Sequence, residues 1–321
     1  METSINIFLQ SLGTWLQSLS KVLSFLGTES FYILVMPAVY WCVDALAGLR
    51  LGMILVLSGT LNGLAKLIFK SPRPYWVDKR VVPVVRERSF GLPSGHAMNA
   101  SALWGQISRE FQRRWFTWVC IIMIVLIGLS RLVLGVHFTL DVAFGWVLGL
   151  LVLVLFNRYY APIANHVKAL PLKRQILLAF LSSMLIVLLI LLAALPGQTW
   201  VMPAAWVEGA GPVNPFDTRG LYTIAGLWFG FLGGFLLLRA QLGILQSKLG
   251  GVHLLWRYFI GLAGILIIYM GLGSFIPKTL TASTFLLQYL QAALLGFWIA
   301  YLAPRLFHAL RIASFSRPDQ N

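Results

Sequence analysis

The sequence predicts an all-α protein: a polytopic transmembrane helical bundle with an N-terminal amphipathic helix lying in the membrane interface. Three observations predict it. The chain is 59% hydrophobic and only 11% charged, with a mean hydropathy of +0.81, too little charge to cover the surface of a soluble domain. Its apolar stretches reach the roughly 20 residues that a helix needs to cross a bilayer, and the one from Gln175 to Leu195 carries no charge at all. The basic residues fall between these stretches rather than in one long stripe, so the net charge of +15 reflects membrane topology, and no nucleic-acid partner is expected.

Taken in order, residues 4–27 come first. Ile5, Phe8, Leu9, Leu12, Leu16, Leu19, Leu23 and Leu26 recur at helical spacing, with Asn6, Gln10, Thr14, Gln17 and Lys21 on the other face. This pattern predicts a helix in the interface rather than across it. A basic n-region and a small-residue cleavage site are both missing, so no cleavable signal peptide is expected. Membrane-crossing segments follow near 30–47, 51–69, 95–110, 116–134, 139–157, 175–195, 221–238, 255–276 and 283–303. The segment near 95–110 is the least apolar and is expected to be short or buried in the bundle. A linker near Tyr160–Pro171 separates a catalytic core, 30–160, from additional helices, 172–321, whose role the sequence leaves open. Within the latter, Gly226, Gly230 and Gly234 make a small-residue face that serves either packing inside the chain or a homodimer. The stretch Pro196–Gly220 is too polar to span, and either covers a site or connects two helices.

Charge sets the orientation. One face receives Arg50, Arg109, Arg113, Arg114, Arg158, Lys168, Lys173, Arg174, Arg239, Lys248, Arg257, Arg305, Arg311 and Arg317 against Asp44, Glu110 and Asp319, a net charge of +11. The other face carries a net +4. By the positive-inside rule the first face, with the C-terminus, is cytoplasmic in a plasma or inner membrane. Cys42 and Cys120 fall inside apolar segments without a metal-type or CxxC spacing, which points to small buried hydrophobes.

Three short segments then reach the same, non-cytoplasmic edge. They are Lys66 to Arg73-Pro74, Pro93-Ser94-Gly95-His96, and Ser130-Arg131 through His137 to Asp141. Lys66, Arg73 and Arg131 together match the charge of a phosphate dianion, the arginines as forks and the lysine as a point charge. Ser94 and Gly95 open a helix whose free N–H groups favour an anion, and the glycine allows close approach. His137 and Asp141 lie four apart, so the carboxylate can fix the imidazole tautomer and leave the other nitrogen as nucleophile. His96 suits the general acid that protonates a departing oxygen. With no carboxylate cluster to hold magnesium, neither a metal nor a cofactor is expected.

The pattern K-x6-RP, PSGH and SR-x5-H-x3-D resembles, without a departure, the signature of the type 2 phosphatidic acid phosphatase superfamily. That superfamily includes undecaprenyl-pyrophosphate phosphatases, lipid phosphate phosphatases, glucose-6-phosphatases and vanadium haloperoxidases. The resemblance covers about residues 30–157. It implies a helical core with metal-independent phosphohydrolysis at the outer membrane edge. It further implies His137 as nucleophile, Asp141 as its partner, His96 as acid, and Lys66, Arg73, Ser94, Gly95 and Arg131 as phosphate ligands. The run Arg73-Pro74-Tyr75-Trp76 and the pair Ala97-Met98 also resemble glucose-6-phosphatase.

The expected function is hydrolysis of a phosphate monoester or pyrophosphate, on a lipid held by the bilayer. Two alternatives stay open: a soluble sugar phosphate as substrate, or a transporter or scaffold that binds an anion without cleaving it. A transporter should show related halves, and residues 172–321 hold no copy of the motifs. A haloperoxidase is disfavoured by the membrane embedding.

Overall fold

The structure, a computed structural model, describes residues 3–247, 250–277 and 279–316. Its helices in chain order are α1 (Ser4–Ser11), α2 (Thr14–Phe25), α3 (Glu29–Ala38), α4 (Ala45–Phe69), α5 (Pro74–Val77), α6 (Gly95–Phe111) and α7 (Arg114–Val133). They continue as α8 (Thr139–Lys168), α9 (Leu172–Ala194), α10 (Ala204–Ala210), α11 (Arg219–Gln241), α12 (Gly251–Leu266), α13 (Ala282–Phe297) and α14 (Ala303–Ala309). Two short strands, β1 (Ile244–Gln246) and β2 (Ser314–Ser316), pair antiparallel, a small addition to the all-α expectation.

Among the described residues seven helical stretches are long and apolar enough to cross a membrane: Ala45–Val77, Arg114–Val133, Thr139–Lys168, Leu172–Gln198, Arg219–Gln241, Gly251–Leu272 and Ala282–Ala309. The bent pair Thr14–Phe25 and Glu29–Val43 makes an eighth if it crosses as one span. Large apolar side chains are turned outward along these helices; on α9, Leu177, Leu181, Leu185, Leu188 and Leu192 are all about half exposed. In water such a surface would be untenable, whereas lipid solvates it. The protein is a multi-pass integral membrane protein.

Several sequence expectations change in detail. The segment near 95–110 is α6, 17 residues long and therefore about 25 Å, and it is not among the spanning helices. It carries Ser101 and Gln106 buried, which makes it an internal helix. The linker expected at Tyr160–Pro171 is helical to Lys168, with Pro162 inside α8. Arg257, counted above as a cytoplasmic loop charge, is fully buried. It donates to the carbonyls of Ile312 (2.7 Å), Trp41 (3.0 Å) and Gln246 (2.9 Å), where a five-donor fork can satisfy backbone acceptors that helices and strands leave free. Lys248, Arg317 and Asp319 of the charge balance lie outside the described residues.

The chain forms two compact units, each assembled from separate stretches of sequence. One comprises Met1–Tyr32, Leu57–Asn157 and Leu191–Thr218. In it α6 and α2 pack on α7, and α10 on α5. Gly145 and Gly149, one turn apart on α8, let α6 approach: a Cβ on Gly145 would sit 2.7 Å from the Ser94 carbonyl. The other unit comprises Ile33–Val56, Arg158–Ile190 and Arg219–Asn321. In it Gly226, Gly230 and Gly234 of α11 face the backbone or Cβ atoms of Tyr289, Ala293 and Ala300. The glycine face is thus covered within the chain. Ser183 there bonds both the Ala225 carbonyl and the Tyr289 hydroxyl, each at 2.8 Å.

The N-terminal segment departs most from expectation. It is two helices, not one, broken at Gly13, whose φ of +110° suits glycine. Its apolar face is turned outward, as an interfacial helix requires, but part of its polar side meets protein instead of water. Asn6, Ser20 and Ser24 are buried, while Ile5, Phe8, Leu12, Trp15, Leu19, Val22 and Phe25 are exposed. The polar face meets protein and the apolar face meets lipid.

Candidate active site

The first unit gathers every sequence-predicted site residue at the ends of α4, α6, α7 and α8 and, for Arg73, at the start of α5. Lys66 stands in the last turn of α4, and its Nζ donates to Phe90 O (2.6 Å) and Ser89 Oγ (3.1 Å). Arg73, fully buried, bonds the same two residues: Nε to Ser89 O (2.7 Å), Nη2 to Ser89 Oγ (3.1 Å) and to Phe90 O (3.1 Å). Its remaining arm donates to Val136 O at 2.8 Å and faces His137 Nε2 at 3.3 Å. Two cations are therefore held by one short piece of loop backbone, and the guanidinium lies against the imidazole.

His137 does not begin the helix, as its spacing to Asp141 had implied; α8 starts at Thr139. The pair meets because Asp141 Oδ2 turns back over the helix start, accepting from Phe138 N at 2.9 Å and contacting His137 Nδ1 at 3.2 Å. This is the bond an N-capping acceptor makes, supplied from inside the first turn. The Asp141 carbonyl accepts from Ser94 N at 2.9 Å, so the second and third motifs are tied through backbone. His137 lies between two membrane helices. Its burial first, then the charges of Arg73, Lys66, Arg131 and His96, hold it well below the usual imidazole range. This favours the neutral ring, with Nδ1 toward Asp141 and the Nε2 lone pair facing Arg73.

Ser94 caps α6, and Gly95 is its first residue. A Cβ at Gly95 would stand 2.9 Å from Asn62 Oδ1, so the glycine is required for this close approach. His96 Nε2 is buried without a hydrogen-bond partner. Arg131, in the last turn of α7, bonds Ser24 Oγ and Glu87 Oε1 through its two terminal nitrogens. Glu87 is on the loop between α5 and α6. Burial opposes its ionisation, but Arg73, Arg131, His96 and Lys66 outweigh that and lower it to about 2.

Several of these partners escaped the sequence. Glu87 sits in a loop that also holds Asp78, Lys79, Arg80, Arg86 and Arg88, and nothing local singles it out. Asn62 did leave a signal: Ser58, Asn62 and Lys66 are spaced by four in an apolar helix, a polar stripe on one face. Asn62 donates to Pro93 O at 3.1 Å and Ser58 to Asn99 at 2.7 Å, so the stripe faces α6 and its preceding turn. The stretch 196–220, left as cover or connector, packs beside the site. Trp200 and Phe216 meet the Phe90 ring edge-on at 5.3 and 5.2 Å, and Trp206 lies on Trp76. Among the described residues, no group of three or more His, Cys, Asp or Glu side chains is arranged to hold a metal.

Residues 47–163 match the PAP2 superfamily, and residues 222–315 match the PAP2 superfamily phosphatase transmembrane extension. Phosphatidylglycerophosphatase B of Bacillus subtilis is 31% identical over 158 residues, 45% of this chain and 75% of that protein. The chain belongs to the PAP2 superfamily. Sphingosine-1-phosphate phosphatase 1 of mouse is 32% identical over 137 residues, 41% of this chain. The undecaprenyl-diphosphatase of Sulfolobus acidocaldarius is 31% identical over 104 residues, 32% of this chain and 50% of its own length. The match spans 32% of the length of the mouse sphingosine-1-phosphate phosphatase. Among solved structures, that of a transmembrane PAP2-type phosphatidylglycerolphosphate phosphatase from Bacillus subtilis is 26% identical, covering 50% of this chain and 85% of its own, with a TM-score of 0.43. The relatives named above are a phosphatidylglycerophosphatase, a sphingosine-1-phosphate phosphatase and an undecaprenyl-diphosphatase, and this PAP2 chain carries all three motifs in one unit.

Proposed function

We propose that this PAP2 protein is a metal-independent lipid phosphatase that works through a phosphohistidine on His137. The observation that carries the reading is the His137 ring itself, with Nδ1 against Asp141 and Nε2 against the Arg73 guanidinium, beside Lys66. A phosphoryl group bound by Arg73, Lys66, Arg131, the Ser94 hydroxyl and the Gly95 N–H that opens α6 puts its phosphorus in front of Nε2. The Nε2 lone pair then forms a bond to phosphorus as the bond to the substrate oxygen breaks, and His96, entering this step as the imidazolium, gives that oxygen its proton and is left neutral. Asp141 balances the positive charge the ring acquires. In the second half a water attacks the phosphohistidine, His96 takes its proton, and phosphate leaves with Nε2 restored. The cations hold charge on the equatorial oxygens throughout, in a site dry enough for this to be worth several kcal/mol.

A lipid substrate is favoured over a soluble one because the names of the relatives are those of lipid phosphatases and because the site lies at the helix ends of a membrane-embedded unit. The same charge balance that orients the chain puts the site on the non-cytoplasmic side. The test is phosphate release by purified protein from phosphatidate, phosphatidylglycerol phosphate, sphingosine 1-phosphate, undecaprenyl pyrophosphate and glucose 6-phosphate, with EDTA and with orthovanadate. Release from at least one lipid, unchanged in EDTA and inhibited by vanadate, is expected. Release from glucose 6-phosphate alone would reverse the substrate class, and loss in EDTA restored by magnesium would remove the metal-free mechanism.

A further inference from the structure

Residues 3–28 lie outside both regions that match the superfamily, 47–163 and 222–315, yet they touch the site at three points. Asn6, 1% exposed, donates from its one amide nitrogen to Leu132 O (2.9 Å) and to the carbonyl of His137 (3.1 Å). Ser24 bonds Arg131. Gly27 lies against His96, where a Cβ would come within 2.9 Å of Cδ2. Sequence logic had assigned Asn6 to a wet face, so its burial against backbone acceptors requires another explanation.

The neighbours of Asn6 on α1 point the same way. Thr3 and Gln10 flank it at helical spacing, hence on the same face. Thr3 donates to Asp78 at 2.7 Å. Gln10 donates to Val82 O (2.7 Å) and Val133 O (3.2 Å), and accepts from Val82 N (3.1 Å). The turn from α7 to α8 is thereby pinned on both sides of Gly135. Gly135 has φ +72°, and a Cβ there would meet Gln10 Nε2 at 2.7 Å. Five residues, 134–138, join the two helices through the left-handed Gly135, and without these bonds the carbonyls of Leu132, Val133 and His137 would lack the side-chain donors that hold them. The opposite face of α1 carries Ile5, Phe8 and Leu12, exposed and apolar, so the bilayer presses the polar face inward.

We propose that Asn6 is a positioning residue for His137 and that the N-terminal helix pair is a wall of the active site, not a membrane anchor alone. The inference rests on the assignment of His137 as nucleophile. In-line attack tolerates little error, and a misplacement of about 1 Å costs on the order of 10²-fold in rate. Asn6 acts through the backbone of His137 and touches no substrate.

The experiment compares Asn6→Leu, which keeps the volume and loses both donors, with Asn6→Asp, which keeps the shape and sets a carboxylate against two carbonyls. Phe8→Ala, on the lipid face of the same helix, is the control. The readouts are kcat and KM on a lipid phosphate, inhibition by orthovanadate, and gel filtration in detergent for folding. Both Asn6 variants are expected to lose about 10–100-fold in kcat, with KM and vanadate inhibition within about threefold of wild type, and Phe8→Ala to keep its kcat. A folded Asn6 variant with wild-type kcat overturns the proposal, as does a loss carried by KM. Failure of both variants to fold also overturns it, since Asn6 would then be a determinant of the fold and not of geometry at His137. His137→Gln, run alongside, separates the two readings: activity retained there removes the nucleophile assignment whatever Asn6 does.

Discussion

Replacing Asp141 by asparagine separates charge from geometry at the nucleophile. Two bonds arrive at carboxylate oxygen Oδ2, from Phe138 N at 2.9 Å and from His137 Nδ1 at 3.2 Å. The backbone N–H of Phe138 can only donate, so it holds an amide oxygen, not an amide NH2, in that position. The same oxygen still accepts from Nδ1, the tautomer survives, and the negative charge alone is lost. Hydrogen bonds to a charged group contribute about 1.5–3 kcal/mol and neutral ones about 0.5–1.5 kcal/mol. The ring is positive only once Nε2 has begun to bond phosphorus, so the difference of about 1–2 kcal/mol falls on kcat, a loss of roughly 5–30-fold. Asp141→Ala should do more, because it also leaves the buried Phe138 N–H unpaired at about 1–3 kcal/mol of stability and frees the ring. The assay is kcat on a lipid phosphate and on p-nitrophenyl phosphate at matched expression. Asp141→Asn should fall by the same factor on both, since the bond precedes any dependence on the leaving group. Wild-type kcat, or losses that differ tenfold between the substrates, would refute this use of the carboxylate.

Three further outcomes are expected. His96→Ala should lose about 10²–10⁴-fold on a lipid alkyl phosphate and recover much of it on p-nitrophenyl phosphate, whose oxygen leaves without a proton; equal losses would take His96 out of the acid role. A cysteine at Val82, which is exposed on the loop before the site, should react with a membrane-impermeant maleimide in intact cells; labelling only after permeabilisation would reverse the topology. Acidification should act in two windows. His137, with its value depressed below 6.5 in the folded state, binds its proton more readily when unfolded, so stability falls as pH drops below about 6.5. Glu87, lowered from 4.5 to about 2, supports stability above 4.5 that is lost as pH falls toward 2. Thermal unfolding in detergent should therefore show His137→Gln flattening the upper window and Glu87→Gln the lower, and identical pH slopes in all three proteins would contradict both.

The site motifs were legible because each concentrates residues that a membrane makes expensive. Lys66, Arg73, Ser94, Gly95, His96, Arg131, His137 and Asp141 all lie in the one unit the structure builds at those helix ends. What supports them was legible only in part. The spacing of Ser58, Asn62 and Lys66 was visible, but Phe90 acts through its backbone carbonyl, which leaves no trace in residue type, and Ser89 is one hydroxyl in a polar loop. The N-terminal amphipathic pattern gave the apolar face that lipid receives, but amphipathicity does not say whether the polar face meets water or protein. Asn6, buried against backbone carbonyls, is where that difference carries the most weight. Arg257 failed for a related reason: a basic residue near a span end was counted as a loop charge, when tertiary structure had use for its five donors.

The most direct test of the account is to trap the covalent intermediate. Purified protein mixed with ³²P-labelled lipid phosphate, denatured in alkali within the first turnovers and digested for mass spectrometry, should carry label on the peptide containing His137. The bond should be stable to alkali and labile to acid, absent from His137→Gln, and more abundant when phosphate release is slowed. Label on another residue, or none under conditions where turnover is measured, would contradict a phosphohistidine mechanism at His137.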